Sequence, residues 1–502
     1  MTFGQRKSGA VLSYLNIFLK NAMYIIYTPF LLRFLGNAEY GMYQLTIQVV
    51  STFSILSLGF SGAYIRFYWK LKSRSEEQVE SLNGLYLLIF LIVSLIAIVL
   101  GIVLVCNVGT LFGNSFTNSE IQTTRLLFII MIFNMAVTFP SSVFDAYIMA
   151  NQQFLFQQSR AILGTLLQPL LTIPMLFLGY KAVAVLVIQT IVTCFFLLLN
   201  VHFSIFKLNM KFQFTKFPKG LLKSLIVFSG FLLINDVVDI VNNNVPGIIV
   251  GSIVGANAVA IYSIAIQIRT IFFQLSLSLS SVFSPKINQI VSQDNDNTKL
   301  LDIMIKVGRF QLLILTIIFG GFILLGQYFI RIWAGAAFYQ AYWMVIAMII
   351  PVLVPLSQNV GIEIQRAKNL HQFRSITLAI FAIINVILTY TLVSKFGVTG
   401  SIWGYVISVA IGNGLVINLY NHHKVGLNMI IYWKRVLPVV IPSIISTLLI
   451  SIFILIKPIN NLYIFVLYGA LYVVFSIVLT FGILNKNERN IFFKFNKNNS
   501  FK

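Results

Sequence analysis

The stretch NGLYLLIFLIVSLIAIVLGIVLVC, residues 83–106, decides the fold class, because its 24 consecutive residues include no charged side chain. A helix rises about 1.5 Å per residue and the hydrocarbon core of a bilayer is about 30 Å thick, so about 20 apolar residues cross it. The stretch is continuously apolar rather than alternating in polarity, and a segment in lipid must satisfy its own backbone hydrogen bonds. It therefore predicts a membrane-spanning α-helix rather than a barrel strand.

Similar apolar stretches recur along the whole chain. Fourteen of them are long enough to span a bilayer. They lie at residues 9–32, 41–65, 83–106, 125–149, 160–178, 182–201, 222–246, 254–283, 302–325, 338–360, 374–394, 398–419, 436–456 and 462–483. The fold class predicted is an all-α integral membrane protein of about 14 transmembrane helices.

The composition of the chain excludes a set of water-soluble domains. Of its 502 residues, 58% are hydrophobic and only 10% are charged, whereas a soluble domain has about 25% charged residues. The net charge of +22 does not indicate nucleic-acid binding, because the basic residues lie in short runs between apolar stretches. Such runs are typical of cytoplasmic membrane loops.

The distribution of lysine and arginine orients the predicted helices. With the N-terminus in the cytoplasm, 25 of the 35 basic residues lie on the inner side, six lie on the outer side, and four lie inside apolar stretches. This asymmetry predicts that both termini are cytoplasmic and that the number of spans is even. Asp145 lies near a predicted inner end, and we expect water to solvate it.

An internal repeat divides the chain. A shift of 219 positions aligns residues 36–61 with 255–280, and nine of the 26 aligned pairs are identical. The repeat predicts two pseudo-symmetric six-helix lobes that enter the membrane in the same direction, an arrangement typical of transporters that alternate between two open states. The predicted domains are an N-terminal lobe (1–206), a basic cytoplasmic connector (207–223), a C-terminal lobe (224–423), and two extra helices with a basic tail (424–502).

The N-terminal stretch carries a spaced motif, N-x3-K-x8-P-x3-R-x2-G-x3-YG-x-Y. It resembles the opening of polysaccharide repeat-unit flippases in the multidrug/oligosaccharidyl-lipid/polysaccharide exporter superfamily. The resemblance implies a bacterial inner-membrane protein that moves an undecaprenyl-pyrophosphate-linked oligosaccharide to the outer leaflet for capsule, exopolysaccharide or O-antigen assembly. It also implies membrane lipids and a polysaccharide polymerase as partners. The motif residues are Asn16, Lys20, Pro29, Arg33, Gly36, Tyr40, Gly41 and Tyr43.

Charged residues deep inside the predicted spans are the candidate functional groups. A charge at the bilayer centre costs at least about 2.5–3.5 kcal/mol, so it is expected to face a cavity or a partner. Five residues meet this condition by depth: Lys20, Asp236, Asp239, Arg269 and Arg309.

The repeat places polar residues on equivalent faces of spans 1 and 7. It pairs Asn16 with Asn235 and Lys20 with Asp239. In each span the two residues are four apart and so share a helix face, and Tyr24 continues the face in span 1. We expect both faces to line a cavity between the lobes, with Asn16 and Tyr24 at the substrate and Asn235 in coupling or gating.

The charged groups suggest a division of roles. Lys20, Arg269 and Arg309 are predicted to bind the pyrophosphate and any acidic sugars, because ammonium and guanidinium groups match phosphate oxygens. Asp236 and Asp239 are predicted to bind a coupling cation, Na⁺ or H⁺, or to act in gating. The alternative is a purely structural ion pair between Lys20 and an aspartate.

Two glutamines related by the repeat, Gln48 and Gln267, lie at equivalent depths in spans 2 and 8. Two roles are open for them: hydrogen bonds to sugar hydroxyls, or hydrogen bonds across helices that aid packing.

Other function classes have less support. The chain has no Gly-x4-Gly-Lys-Ser/Thr loop and no histidine at a metal-ligand spacing, so we expect no cofactor, no metal and no enzymatic activity. A multi-span polymerase or glycosyltransferase would carry a longer loop or a catalytic domain. A cation-coupled multidrug exporter and a peptidoglycan-precursor flippase of the same superfamily stay as alternatives.

Overall fold

The computed structural model describes residues 3–57, 60–215, 217, 220–280 and 283–483. The described residues form helices joined by turns and short loops, and there is no strand among them. The predicted all-α fold class is confirmed.

Nineteen α-helices are found in the described part of the chain. In order they are α1 (Phe3–Phe53), α2 (Phe60–Lys72), α3 (Glu76–Cys106), α4 (Val108–Phe112), α5 (Asn118–Ala150), α6 (Phe154–Phe177), α7 (Ala182–His202), α8 (Leu221–Ile253), α9 (Ala256–Ser280), α10 (Ser284–Gln293), α11 (Asn297–Trp333), α12 (Tyr339–Ser357), α13 (Asn359–Ala367), α14 (His371–Phe396), α15 (Gly400–Ser408), α16 (Ile417–Tyr420), α17 (Met429–Val436), α18 (Ile441–Ile456) and α19 (Leu462–Ile483). Short 3₁₀ and π segments extend several of them.

Eleven helical stretches in the described residues are long and apolar enough to cross a membrane. Two of them, Leu15–Lys72 and His371–Val425, have 58 and 55 residues. Each has more than twice the roughly 20 residues that cross a 30 Å core, so each has enough residues for two crossings. Each contains two of the fourteen predicted spans, and α8 coincides with the predicted span at 222–246. The chain is therefore a multi-pass membrane protein.

The surface of the helices confirms lipid as the main solvent. In the most apolar window of α3 only 28% of residues are buried inside the protein. Large apolar side chains such as Leu455 and Ile456 are 82% and 78% exposed. A water-soluble protein does not expose apolar surface on this scale, so these faces are suited to acyl chains.

A single residue breaks the long helix α1. Gly36 has φ of 75° and ψ of 171°, in the left-handed half of the map that glycine enters at little cost. It separates the first apolar stretch of α1 from the second, and it is one of the residues of the N-terminal motif.

The described residues form two compact units, Met1–Ser263 with Asn385–Ser401, and Ile264–Ile384 with Ile402–Lys502. The division falls inside α9 and α14. These units are defined by contacts between residues. The lobes predicted from the sequence are defined by the internal repeat, and their boundaries stay a prediction.

In the first unit, α1 packs against α5, α6 and α8, and α5 packs against α2, α3 and α7. The predicted connector begins at the end of α7 and returns to α3, where Asn83 donates to the carbonyl of Lys211 at 2.8 Å. Ser81 donates to the side-chain oxygen of Gln213 at 2.8 Å. A Cβ on Gly84 would lie 2.1 Å from the carbonyl oxygen of Gln213, so a larger residue at 84 would push this part of the connector away.

In the second unit, α11 is the element on which the others pack, and it contacts α12, α13, α17, α18 and α19. Buried polar side chains join the helices. Asn359 donates to the hydroxyl of Ser276 at 2.9 Å, and Gln311 donates to the carbonyl of Ser276 at 2.9 Å. The hydroxyl of Tyr432 donates to the carbonyl of Ser357 at 2.7 Å. The last of these bonds satisfies a backbone carbonyl at the break between α12 and α13, which follows two prolines of α12.

Candidate functional site

The first half of α1 carries an exposed polar face. Lys20 and Tyr24 are both exposed, and Asn16 is half-buried, with its amide donating to the side-chain oxygen of Gln158 at 3.3 Å. The three residues follow one another at intervals of four, so they share one face as predicted. Within the described residues, Lys20 forms no ion pair. Its ammonium group is thus not neutralised by a carboxylate there, and it is accessible to an anion.

The corresponding face of α8 carries two carboxylates. Asp236 and Asp239 are both exposed and lie about one turn apart. Asn243 donates to the backbone carbonyl of Asp239 at 2.7 Å. The side chain of Asn235 lies outside the described residues. Because α1 packs against α8 within one unit, the structure brings the cationic and the acidic face into the same compact unit.

Gln48 lies farther along α1 and is 8% exposed. Its amide donates to the hydroxyl of Ser263 on α9 at 3.1 Å. A Cβ on Gly247 of α8 would lie 1.7 Å from its side-chain oxygen. Of the two roles left open by the sequence, Gln48 adopts the bond across helices in this structure. Its repeat partner Gln267 is half-buried on α9.

Among the described residues, Arg269 is the largest side chain that is almost fully buried, with 2% exposed. Its guanidinium carbon lies 4.3 Å from the ring centroid of Tyr405 and 5.9 Å from that of Phe273. Cation–π contacts of this kind stabilise a desolvated cation by about 2 kcal/mol or more. The structure thus holds Arg269 between aromatic rings of the second unit.

Arg309 of α11 is half-buried and donates to the backbone carbonyl of Arg435 at 2.5 Å. Arg435 belongs to α17, at the start of the extra C-terminal helices. Arg309 therefore joins α11 to α17 in this structure.

Three glycines lie at close contacts. Gly41 belongs to the N-terminal motif, whereas the sequence assigned no role to Gly247 or Gly251. A Cβ on Gly41 of α1 would lie 1.8 Å from the carbonyl oxygen of Ala256, and one on Gly251 would lie 3.0 Å from Leu45. With Gly247, these glycines let α1 approach α8 and the start of α9 closely. Spacing by four, as at 247 and 251, is visible in the sequence and typical of close helix packing in membranes, but the partner helix is not.

Asp145 is partly exposed, at 35%, and two side chains also bind it. Its carboxylate accepts hydrogen bonds from Arg160 at 2.7 Å and from Asn200 at 2.8 Å. These contacts join α5, α6 and α7 at one end. The sequence holds a signal for the ion pair of Asp145 with Arg160, because the two opposite charges lie near adjoining ends of consecutive predicted spans. α5 and α6 are joined there by a tight turn.

Lys181 forms an ion pair with Glu39 at 2.9 Å. The backbone amide of Ala182 donates to the same carboxylate at 3.3 Å. This contact ties the first turn of α7 to α1, close to Gly36. No sequence signal indicated it.

Comparison with known proteins places this fold. A family model described as "Polysaccharide biosynthesis protein" matches residues 6–291, more than half of the chain. No curated protein matches the chain significantly in sequence.

Several solved structures are similar to the chain. One is the lipid II flippase MurJ in an inward closed conformation. It is 18% identical to this chain with a TM-score of 0.74, and the alignment covers 95% of this chain and 100% of MurJ. A multidrug resistance MATE family transporter of the MOP superfamily, in an inward-facing conformation, is 13% identical with a TM-score of 0.54, covering 81% of this chain and 94% of its own. A MOP superfamily transporter from Pyrococcus furiosus is 13% identical with a TM-score of 0.52, covering 84% and 93%.

At these identities the similarity is one of fold, and the family match covers the N-terminal motif and both polar faces. The chain therefore belongs to the polysaccharide biosynthesis protein family and has the fold of the multidrug/oligosaccharidyl-lipid/polysaccharide exporter superfamily.

Proposed function

We propose that the protein is a flippase that moves undecaprenyl-pyrophosphate-linked oligosaccharide repeat units from the cytoplasmic to the outer leaflet by alternating access, for cell-surface polysaccharide biosynthesis. The family match supports the polysaccharide part of the proposal. The observation that carries the transport part is the exposed, unneutralised Lys20 on an apolar helix. Such a charge in a span is costly unless it serves a ligand or a cavity.

The pyrophosphate is the part of the substrate that Lys20 would bind. An ammonium group forms short, charge-assisted hydrogen bonds with phosphate oxygens. Asn16 and Tyr24 on the same face would bind the sugars, while the polyprenyl tail stays against the exposed apolar surface. Arg269 and Arg309 would join the pyrophosphate in another conformation, because both guanidinium groups have protein contacts here.

Asp236 and Asp239 would bind the coupling ion, Na⁺ or H⁺, or open and close the path. Both are exposed on the helix that packs against α1. A carboxylate close to the substrate site would also repel the pyrophosphate, so cation binding at α8 would favour entry of the anionic head group.

The close packing at Gly41 and Gly247 would close the outer end of the path. With both termini in the cytoplasm, these glycines lie in the outer halves of α1 and α8, and Lys20 and Asp236 lie nearer the inner side. The backbone contact at Ala256 leaves no space for even a methyl group. This contact supports a state in which the path is closed to the outer side of the membrane. The helices would have to separate here to release the substrate.

The proposal includes location and partners. The protein would lie in the bacterial cytoplasmic membrane with both termini inside, and it would deliver repeat units to a polysaccharide polymerase. The two rival activities are flipping of a peptidoglycan precursor and cation-coupled drug export. The family match favours polysaccharide over both.

Reconstitution tests the proposal directly. Proteoliposomes would be loaded with undecaprenyl-pyrophosphate-linked oligosaccharide, and a glycosidase added outside would cleave only the outward-facing glycan. Wild-type protein should raise the cleavable fraction above one half, while Lys20→Ala should leave it at the protein-free value. Equal cleavage with wild-type and empty vesicles would refute flipping, and movement of drugs or lipid II alone would support a rival.

A further inference from the structure

A cavity of about 490 Å³ lies in the second unit, away from all the polar residues discussed above. It is formed by the last turns of α11, the turn leading into α12, and the loop between α18 and α19. It involves the extra helices that lie outside the predicted repeat. The volume is in the range of small-molecule binding sites.

One wall of this cavity is polar and cationic. Arg331 lies in the last turn of α11, is exposed, and forms no hydrogen bond or ion pair with any described residue. Gln327 lies one turn before it and donates to the hydroxyl of Tyr339 at 3.3 Å. Tyr328 also lines the cavity. A guanidinium group with neutral hydrogen-bonding groups beside it matches a phosphate.

Apolar side chains line the rest of the cavity. They are Leu324 of α11, Ile454 of α18 and Ile459 of the loop that follows α18. Next to Ile454 in the chain, Leu455 and Ile456 are among the most exposed apolar side chains of the described residues. A free inorganic anion gains nothing from such a wall, whereas a phosphate carrying acyl chains does.

The cavity lies at a membrane interface. α11 has 37 residues, about 55 Å, and its predicted span at 302–325 ends about two turns before Trp333, so the end near the cavity extends beyond a 30 Å hydrocarbon core. Tyr328 and Tyr339 line the cavity at this end of α11, and such aromatic residues are enriched where helices meet the head groups. The cavity therefore opens at the depth of phospholipid phosphates.

We propose that this cavity binds the head group of an anionic phospholipid, with Arg331 contacting the phosphate and the acyl chains lying against the exposed apolar face of α18. In the topology proposed above, this lipid belongs to the outer leaflet. The site is separate from the proposed substrate path, so it stands or falls independently of the flippase activity.

Native mass spectrometry of the purified full-length protein tests this site. Wild type should retain phosphatidylglycerol in preference to phosphatidylcholine. Arg331→Gln should weaken phosphatidylglycerol binding by about tenfold or more, because it removes a charge-assisted phosphate contact. Ala336→Phe should do the same by filling the cavity while keeping Arg331.

Lys457→Gln is the matched control, since Lys457 is an exposed cation in the same loop region but does not line the cavity. It should bind phosphatidylglycerol like wild type. Equal retention of the two lipids by wild type, or unchanged binding in both Arg331→Gln and Ala336→Phe, would overturn the proposal. Displacement of phosphatidylglycerol by millimolar inorganic phosphate would also overturn it, because the ligand would then be the free anion.

Discussion

Replacing Gly41 by alanine should open the packing of α1 against α9. In the structure, a Cβ at position 41 would lie 1.8 Å from the carbonyl oxygen of Ala256, and real Cβ atoms essentially never come closer than 3.0 Å to another heavy atom. The two backbones must therefore separate by at least about 1.2 Å. Ala256 is 3% exposed, so no water-filled space is available to absorb the methyl group.

The size of the effect follows from the cost of overpacking, which is about 1–3 kcal/mol. This cost falls only on the state in which the two helices touch. If the helices separate during transport, Gly41→Ala should shift the equilibrium toward the separated state by about 5- to 150-fold.

Cysteine labelling measures this shift. Leu45 is fully buried beside Gly251 in the contact, so Leu45→Cys, made after replacing Cys106 and Cys194 by serine, should react slowly with a membrane-impermeant maleimide added outside. Adding Gly41→Ala should raise the labelling rate by about 5- to 150-fold.

Gly109→Ala is the matched control, because a Cβ at position 109 would meet nothing within 4 Å. It should leave the labelling rate of Leu45→Cys unchanged. An unchanged rate in Gly41→Ala, or an equal rise in both variants, would refute the reasoning that this contact closes the outer end.

Three further predictions concern charged groups. Lys20→Ala should abolish surface polysaccharide while the level of the protein in the membrane stays unchanged. The charge swap, Lys20→Asp combined with Asp239→Lys, should not restore the polysaccharide. Recovery in this double variant would show that the two residues act only as an ion pair. Asp145→Ala should lower the melting temperature, because it leaves Arg160 without its carboxylate. Since Asp145 is 35% and Arg160 is 19% exposed, the free energy of unfolding should fall by about 1 kcal/mol. An unchanged melting temperature would contradict this prediction. Arg269→Lys should also lower the melting temperature, because an ammonium group does not stack on aromatic rings as a guanidinium group does. The free energy of unfolding should fall by about 1–2 kcal/mol. Equal thermal unfolding of this variant and wild type would contradict the cation–π account.

The sequence predicts the helices well, because a helix in lipid needs a continuous run of apolar residues, and such a run can be recognised without knowing its neighbours in the fold. The stretch at 83–106 lies within α3, and the tail stretch at 462–483 coincides with α19. What hydropathy does not show is whether consecutive spans form one helical stretch. At Gly36 a single residue with a non-helical backbone interrupts α1 between two predicted spans.

Partners between distant helices were not predictable, because they depend on how each helix is rotated about its axis. Asn16 was placed on a polar face, yet its hydrogen-bond partner Gln158 lies 142 residues away. The sequence likewise allows two roles for Gln48, and its bond to Ser263 depends on how α1 packs against α9. Such contacts are decided by packing, which a one-dimensional pattern does not contain.

The location of the lipid-linked glycan in cells tests the central claim most directly. Cells depleted of this protein would be treated with enzymes that label glycan in only one leaflet of the cytoplasmic membrane. The account predicts that lipid-linked oligosaccharide accumulates on the cytoplasmic face, and that wild-type protein reverses this while Lys20→Ala does not. A normal distribution between leaflets in depleted cells would contradict the account.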